Sequence, residues 1–402
     1  MNGPAAGTGS ANLVEPADWT FPVPIAFGPG RITELGRLCR RAGSTRPLIV
    51  TDRGSAELPF IARAVDSLSA LGLDSAIFAE VSPNPTDADI AVGREAFRSG
   101  DHDGVIAIGG GSGMDAGKSI SLVAGNDVDL WRFDYDLGQS PELGPGGLVP
   151  LITVPTTAGT GAETESTAMV TDLARGMKGC VWHPDQKPSA AILDPELTIG
   201  LPADLTAWTG IDALVHAIEA HSVPAWHPMC DGLALEAIRL ISRWLPVAVA
   251  DGESLEARSG MLVGSCLAGV SFLKGLGLVH AMSHMIGAVY DTHHGLTNAV
   301  LLPPVLRFNQ QAIERKSIAM AEAIDASRAF GEPSFDALYQ AVVELLDQLD
   351  IPTDLGRIGV GRDRVDELAA KSAMDAAAST NPVPASVPQI ADILDRALTE
   401  TR

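Results

Sequence analysis

Basic residues are scarce: 28 Lys and Arg stand against 50 Asp and Glu in 402 residues, a formal charge of −22 with His neutral. So acidic a chain offers no basic surface to a phosphate backbone or an anionic bilayer, which argues against nucleic-acid and membrane-surface partners. Cysteine is scarce too. Cys39, Cys180, Cys230 and Cys266 include no C-x-x-C pair, so they supply neither a zinc knuckle nor a redox dithiol, and a chain this long needs no disulfide staple. They read as small buried hydrophobes in a reducing compartment. No apolar run reaches the ~20 residues that span a bilayer. Residues 1–20, rich in Ala, Gly and Pro, lack the basic and apolar regions of a signal peptide and read as a loose lead-in to a soluble, cytoplasmic protein.

What is present is ample apolar material, 46% of residues, enough for two cores at roughly 100–200 residues per domain. From residue 21 to 199, short β-branched runs alternate with helical periodicity. Pro47–Asp52, Asp74–Val81, Gly104–Ile108 and Leu148–Pro155 read as strands. Helical spacing runs through Phe60, Ala64, Val65, Leu68 and Leu71, and again over 88–97. This alternation implies parallel βαβ units with ligands at the carboxyl ends of the strands. From about 200 to 402 the chain reads as helices, punctuated at Pro224, Pro303-Pro304, Pro352 and Pro382. The expected architecture is an α/β nucleotide-binding half and an all-α half, with the active site in the cleft between them.

Three constellations carry chemistry. Ile106–Lys118 runs from a strand into a glycine-rich turn and a helix, with Gly111-x-Gly113-x-x-Ala116 as a variant dinucleotide fingerprint. Glycines let a pyrophosphate approach, and the helix N-terminus offers free N–H groups. A P-loop ending in Gly117-Lys118-Ser119 is disfavoured, since Ser112 stands where that pattern needs glycine and Asp115 would put a carboxylate into the cradle. Asp52, closing its strand, suits a ribose diol and repels a 2′-phosphate; it equally suits an Asx turn beside Gly54. Next, Leu151–Glu163 ends a strand in hydroxyls and glycines suited to phosphate or nicotinamide-amide contacts, and equally to plain turns. Finally, seven of nine histidines fall between 216 and 294. Asp212 and His216 share one helical face at i,i+4, as do His280 and His284, and His293-His294 follow a short loop. A carboxylate with several imidazoles and no thiolate is a ligand set for Fe²⁺, Zn²⁺, Ni²⁺ or Co²⁺. Position alone leaves open which of His280 and His284, and which of His293 and His294, would bind. His221 and His227 read as surface residues.

The four blocks Gly109–Lys118, Val154–Glu163, Asp194–Ala220 and Gly275–Asn309 resemble the iron-containing alcohol dehydrogenases. The resemblance implies a Rossmann-like nucleotide-binding domain over 21–199, an all-helical metal-binding domain over 200–402, and a homodimer or larger assembly. It places metal ligands at Asp212, His216, His280 and His294, and a proton relay at His284. Its NAD contacts fall on Asp52, Asn84, Gly110, Gly111, Ser112, Asp115, Thr156, Thr157, Thr160 and Lys178. The implied activity is hydride exchange between a small alcohol, aldehyde or ketone and NAD(H), with Fe²⁺, Zn²⁺ or another divalent metal. Lys274 departs from the family pattern. In the cleft it would suit a hydroxy acid such as 4-hydroxybutyrate; solvated, which is the preferred expectation, it would mean nothing. His293 replaces the proline common in the family before the last ligand. A metal-free reductase of the maleylacetate type and a metallohydrolase are the alternatives.

Overall fold

The computed structural model describes residues 17–19, 22–325 and 332–399. In chain order the first half is β1 (Ala17–Trp19), β2 (Ile25–Phe27), α1 (Leu35–Arg41), β3 (Pro47–Asp52), α2 (Pro59–Ser69), β4 (Ala76–Val81), α3 (Asp87–Ser99), β5 (Gly104–Gly109), α4 (Gly111–Ala124), β6 (Leu151–Pro155), β7 (Thr167–Asp172), β8 (Met177–Trp182) and β9 (Ala190–Leu193). One sheet runs β1-β2-β9-β6-β5-β3-β4; its pairings are parallel except that of β1 with β2. The rest of the expected lead-in lies outside the described residues, but 17–19 pair as the edge strand β1.

The central strands read as unbroken apolar runs because both of their faces are buried. Along β5, Val105 and Ala107 face one core with Met114 and Ile120 of α4, while Ile106 and Ile108 face the other with α1 and α2. Helices on both sides satisfy that pattern. Gly117 makes the fit: a Cβ there would lie 2.4 Å from that of Ala107, so α4 can lie directly on the strand. The hairpin β7–β8 was not anticipated. Its one-sided burial is the ordinary antiparallel alternation, weaker in sequence than a continuous run.

Lys118 explains why the P-loop reading fails. Its side chain is wholly buried, ion-paired to Glu165 and donating to the Thr167 carbonyl at 2.7 Å, away from the glycine turn. Lys118→Ala would strand the Glu165 carboxylate in the interior, an expected loss of about 3–5 kcal/mol measurable by chemical unfolding.

The second half is α5 (Ala203–Ser222), α6 (Pro228–Ala250), α7 (Leu255–Ser271), α8 (Leu278–Tyr290), α9 (His294–Ala323), α10 (Phe335–Gln348), α11 (Val365–Ser372) and α12 (Val387–Thr399), around one large apolar core. Pro303 and Pro304, expected as a break, lie inside α9. Burial of that stretch (Leu301, Leu302, Val305 and Leu306) holds the helix together across residues that weaken it locally. Among the described residues no single helix is long and apolar enough to cross a membrane.

Candidate active site

Two loops meet at the carboxyl ends of β5 and β6. Gly109 has φ 141°, a conformation that favours glycine, and a Cβ there would sit 3.2 Å from Asp52 Oδ2. The Thr156 N–H donates to the Gly109 carbonyl at 2.9 Å. Cβ atoms built on Gly110 and Gly111 would meet Thr157 and Thr160, the latter at 2.8 Å. The expected pyrophosphate turn and threonine loop therefore pack against one another. Asp52 closes β3 beside them, and its carboxylate also accepts from the Ser55 N–H at 3.0 Å and hydroxyl at 2.7 Å, so the Asx-turn reading holds as well. Ser112 donates its hydroxyl to the Pro83 carbonyl. Next to it, Asn84 donates to Asp291 Oδ1 at 2.6 Å, a bond that ties the two halves together across the cleft.

Asp115, at the start of the second turn of α4, is pushed up to about 7 by burial against the opposing pull of Lys118 and Lys178. Burial lowers the Lys178 amine, opposed by the carboxylates of Asp115 and Asp212. Lys178, on β8, is thus near enough to feel carboxylates of both the glycine-rich helix and the histidine cluster.

That cluster is built on three helices. Asp212 on α5, His280 on α8 and His294 at the start of α9 each bring a ligand atom within 4.8 Å of the other two. Asp212 Oδ1 lies 3.9 Å from His280 Nε2 and 3.6 Å from His294 Nε2. Gly295 permits this meeting, because a Cβ on it would come 2.3 Å from the Trp208 carbonyl of α5. His216, the fourth expected ligand, stands beside the three-donor group. Its ring packs 4.3 Å from that of His280, and its Nδ1 lies 4.0 Å from Asp212 Oδ2. Burial pulls His216 down to about 3 and His294 well below its ordinary value, so both rings are neutral bases. Burial would lower His280 too, but the Glu219 carboxylate on its Nδ1 outweighs that and raises it. The buried His216 Nδ1 has no hydrogen-bond partner in the protein. An unpartnered buried nitrogen beside a carboxylate and two imidazoles fits a divalent cation.

The structure separates the histidines that position alone could not. His293 caps α9, its Nδ1 accepting from the Leu296 N–H at 3.4 Å, and packs on Trp208, whereas His294 joins the cage. His284 lies one turn beyond His280, stacked 5.3 Å from His294, with Nδ1 at 2.9 Å from Asp375 Oδ2.

Sequence reasoning missed the groups that orient these rings. Glu219 reaches from α5 to three donors: its carboxylate accepts from Gly277 N at 3.0 Å, Val279 N at 2.8 Å and His280 Nδ1 at 2.7 Å. Ser283 Oγ lies 3.0 Å from His294 Nδ1. Glu219, seven residues after Asp212, and Ser283, three after His280, sit at helical spacings that could have revealed them. Asp375 carries no such signal, because it arrives from a distant irregular segment.

Two basic-residue expectations change. Lys274 is neither solvated nor in the cleft; its buried ammonium bonds Asp231 Oδ1 at 2.5 Å. His221 is buried, with Nδ1 3.5 Å from the same carboxylate, because α6 folds back over the end of α5. His227 remains exposed and caps α6. Cys39, Cys230 and Cys266 are buried and Cys180 is half-buried, all as free thiols.

A nucleotide-type sheet facing a helical metal cage across a cleft defines a two-domain oxidoreductase architecture. Residues 22–195 match the iron-containing alcohol dehydrogenase profile, and 206–398 match the C-terminal profile of the Fe-containing alcohol dehydrogenase family. The chain is 37% identical to an NAD-dependent methanol dehydrogenase of Bacillus methanolicus over 94% of its length and 99% of the relative's. It is 36% identical to a 4-hydroxybutyrate dehydrogenase of Cupriavidus necator, covering 92% and 96% of the two chains. The crystal structure of a 1,3-propanediol oxidoreductase superposes with TM-score 0.88 at 36% identity, over 93% of this chain and 97% of that one. The chain belongs to the iron-containing alcohol dehydrogenase family, and it is a metal-dependent, nicotinamide-linked alcohol dehydrogenase.

Proposed function

We propose that Asp212, His216, His280 and His294 hold Fe²⁺ and that the protein interconverts small neutral alcohols and their carbonyl compounds with NAD(H). The observation that carries this is the three-donor cage beside an unpartnered His216 Nδ1. The cation supplies Lewis acidity toward a substrate oxygen, and the nicotinamide accepts or returns the hydride. The chain's own residues do the rest. N–H groups at the start of α4 and the Gly110, Gly111 and Ser112 turn receive the pyrophosphate, with Asp115 beneath it. Asp52 holds the ribose, Asn84 closes over it, and Thr156, Thr157, Thr160 and Lys178 flank the nicotinamide. His284 takes the alcohol proton at Nε2, since Asp375 holds its Nδ1.

Asp375 also lines a cavity of about 480 Å³ with Tyr135, Asp136 and Met374, and no basic side chain lines it. Burial and the neighbouring carboxylates of Asp134 and Asp375, opposed by Arg175, raise the Asp136 carboxyl above its usual value. With Lys274 sequestered, this favours neutral alcohols and diols over 4-hydroxybutyrate. The intact cage argues against a metal-free reductase, and the glycine turn against a metallohydrolase. The test is NADH formation by protein loaded with Fe²⁺ or Zn²⁺. The expected kcat/KM is at least ~10-fold higher for propane-1,3-diol or butan-1-ol than for 4-hydroxybutyrate, an energy difference of about 1.4 kcal/mol. Preference for the acid would overturn the substrate assignment, and no NADH from any alcohol would overturn the whole reading.

The preference for NAD is assigned to Asp52. Asp52→Ser is expected to raise the NADP/NAD ratio of kcat/KM by about 10-fold or more, measured with either cofactor at fixed alcohol. A cytoplasmic location and a homodimer or larger assembly belong to the same proposal; the free thiols suit a reducing compartment, and Trp226 and Met229 leave apolar surface exposed at the start of α6.

A further inference from the structure

The cage contains an amide that the ligand assignment does not use. Asn298 lies one turn after His294 on α9 and is fully buried. Its Nδ2 is 2.7 Å from Asp212 Oδ1, 3.1 Å from His294 Nε2 and 3.3 Å from His280 Nε2. One nitrogen thus reaches all three donors of the cage.

The protonation of those donors follows from their other partners. Glu219 faces His280 Nδ1 at 2.7 Å and accepts its proton, so the neutral ring carries its lone pair on Nε2. Ser283 donates its hydroxyl to the His294 carbonyl at 3.3 Å and so accepts from His294 Nδ1, which leaves that Nε2 a lone pair as well. All three groups facing Asn298 are acceptors. Only the NH₂ end of the amide can face them, and its Oδ1 is left buried with no partner. That orientation is set by the cage, at the expense of the amide's own oxygen.

We infer that Asn298 is a placeholder: its NH₂ group occupies the ligand cage of the metal-free protein, keeping the three donors assembled, and it must turn away for the cation to bind. This rests on the reading that Asp212, His280 and His294 hold a divalent ion. A cation would take the single Nε2 lone pairs of His280 and His294 and repel the amide hydrogens that face them, so the two compete for the imidazoles, although Asp212 Oδ1 has a second lone pair to offer. The unpartnered Oδ1 makes turning inexpensive, since no hydrogen bond on that side is lost. The placeholder therefore stabilises the metal-free form selectively and competes with the metal.

The experiment compares wild-type protein with Asn298→Ala and with Asn298→Asp, which keeps the shape of the side chain and loses the donor. Each is stripped by chelation and reloaded with Zn²⁺. Melting temperatures are read in both forms, and Zn²⁺ affinity by competition with a chromophoric chelator. For both variants the metal-free melting temperature is expected to fall more than the loaded one, and for Asn298→Ala the Zn²⁺ Kd is expected to tighten by about 10-fold. Equal falls in the two forms, or an unchanged or weaker Kd in Asn298→Ala, would show a packing or supporting role and overturn the inference while leaving the cage intact. Wild-type protein that binds no Zn²⁺ would overturn the cage reading itself, and this inference with it.

Discussion

Asp212→Ala is expected to leave protein that folds, binds no stoichiometric metal, and oxidises alcohols at least about 10³-fold more slowly in kcat/KM. The size follows from removing several kcal/mol of Lewis-acid stabilisation. Asp212 is the one charged donor of the cage and the point on which His280 and His294 converge. The remaining imidazoles carry no negative charge, His216 and His294 being held far below ordinary basicity, and cannot offset a divalent charge. His280→Ala is expected to behave alike. Metal analysis, circular dichroism and steady-state rates on the same preparation check it: full activity in a metal-stripped or Asp212→Ala enzyme would refute the assignment. The fold survives because α5 is buried along its length by apolar residues such as Ile211, Leu214, Val215 and Ile218, whose packing Asp212 does not supply.

Glu219→Ala is expected to have the second-largest effect, although Glu219 touches neither metal nor substrate. Its carboxylate accepts from two backbone N–H groups at the start of α8 and from His280 Nδ1. Deleting it strands three buried donors, frees the imidazole to rotate, and removes the charge that keeps His280 basic. The expected outcome is metal affinity weaker by about 10–100-fold, with a folding loss of about 2–3 kcal/mol. Glu219→Gln separates the two roles. It keeps one acceptor for the α8 N-terminus and so recovers part of the stability, but lacks the negative charge and so recovers less of the affinity. Metal titration together with urea unfolding reads both. If Glu219→Ala bound metal as tightly as wild type, the orienting role would be wrong.

Much of this was legible in one dimension. The strands β3, β5 and β6 were readable because both faces of each are buried, which forces unbroken apolar runs, whereas β4, a half-exposed edge strand, was readable from its short apolar run alone. The pairs Asp212/His216 and His280/His284 were readable because helical periodicity stacks i and i+4. The hairpin β7–β8 and the short strands β1, β2 and β9 were not, being too brief or too weakly patterned to stand out from loop. Lys274 was misjudged for a related reason. A lone basic residue in an apolar stretch reads as solvated until α6 brings Asp231 against it.

The sequence by itself determined the two-part architecture, the donor chemistry of the cage, and the glycine turn, since each depends on residue type at local spacing. Only the tertiary structure decided which imidazoles converge. The choice of His294 over His293 turns on a cap at one helix end and on the close approach of Gly295 to α5. Only it brought Glu219, Asp375 and Asn298 to the histidines, because hydrogen bonds between helices far apart in the chain leave no periodic trace along it.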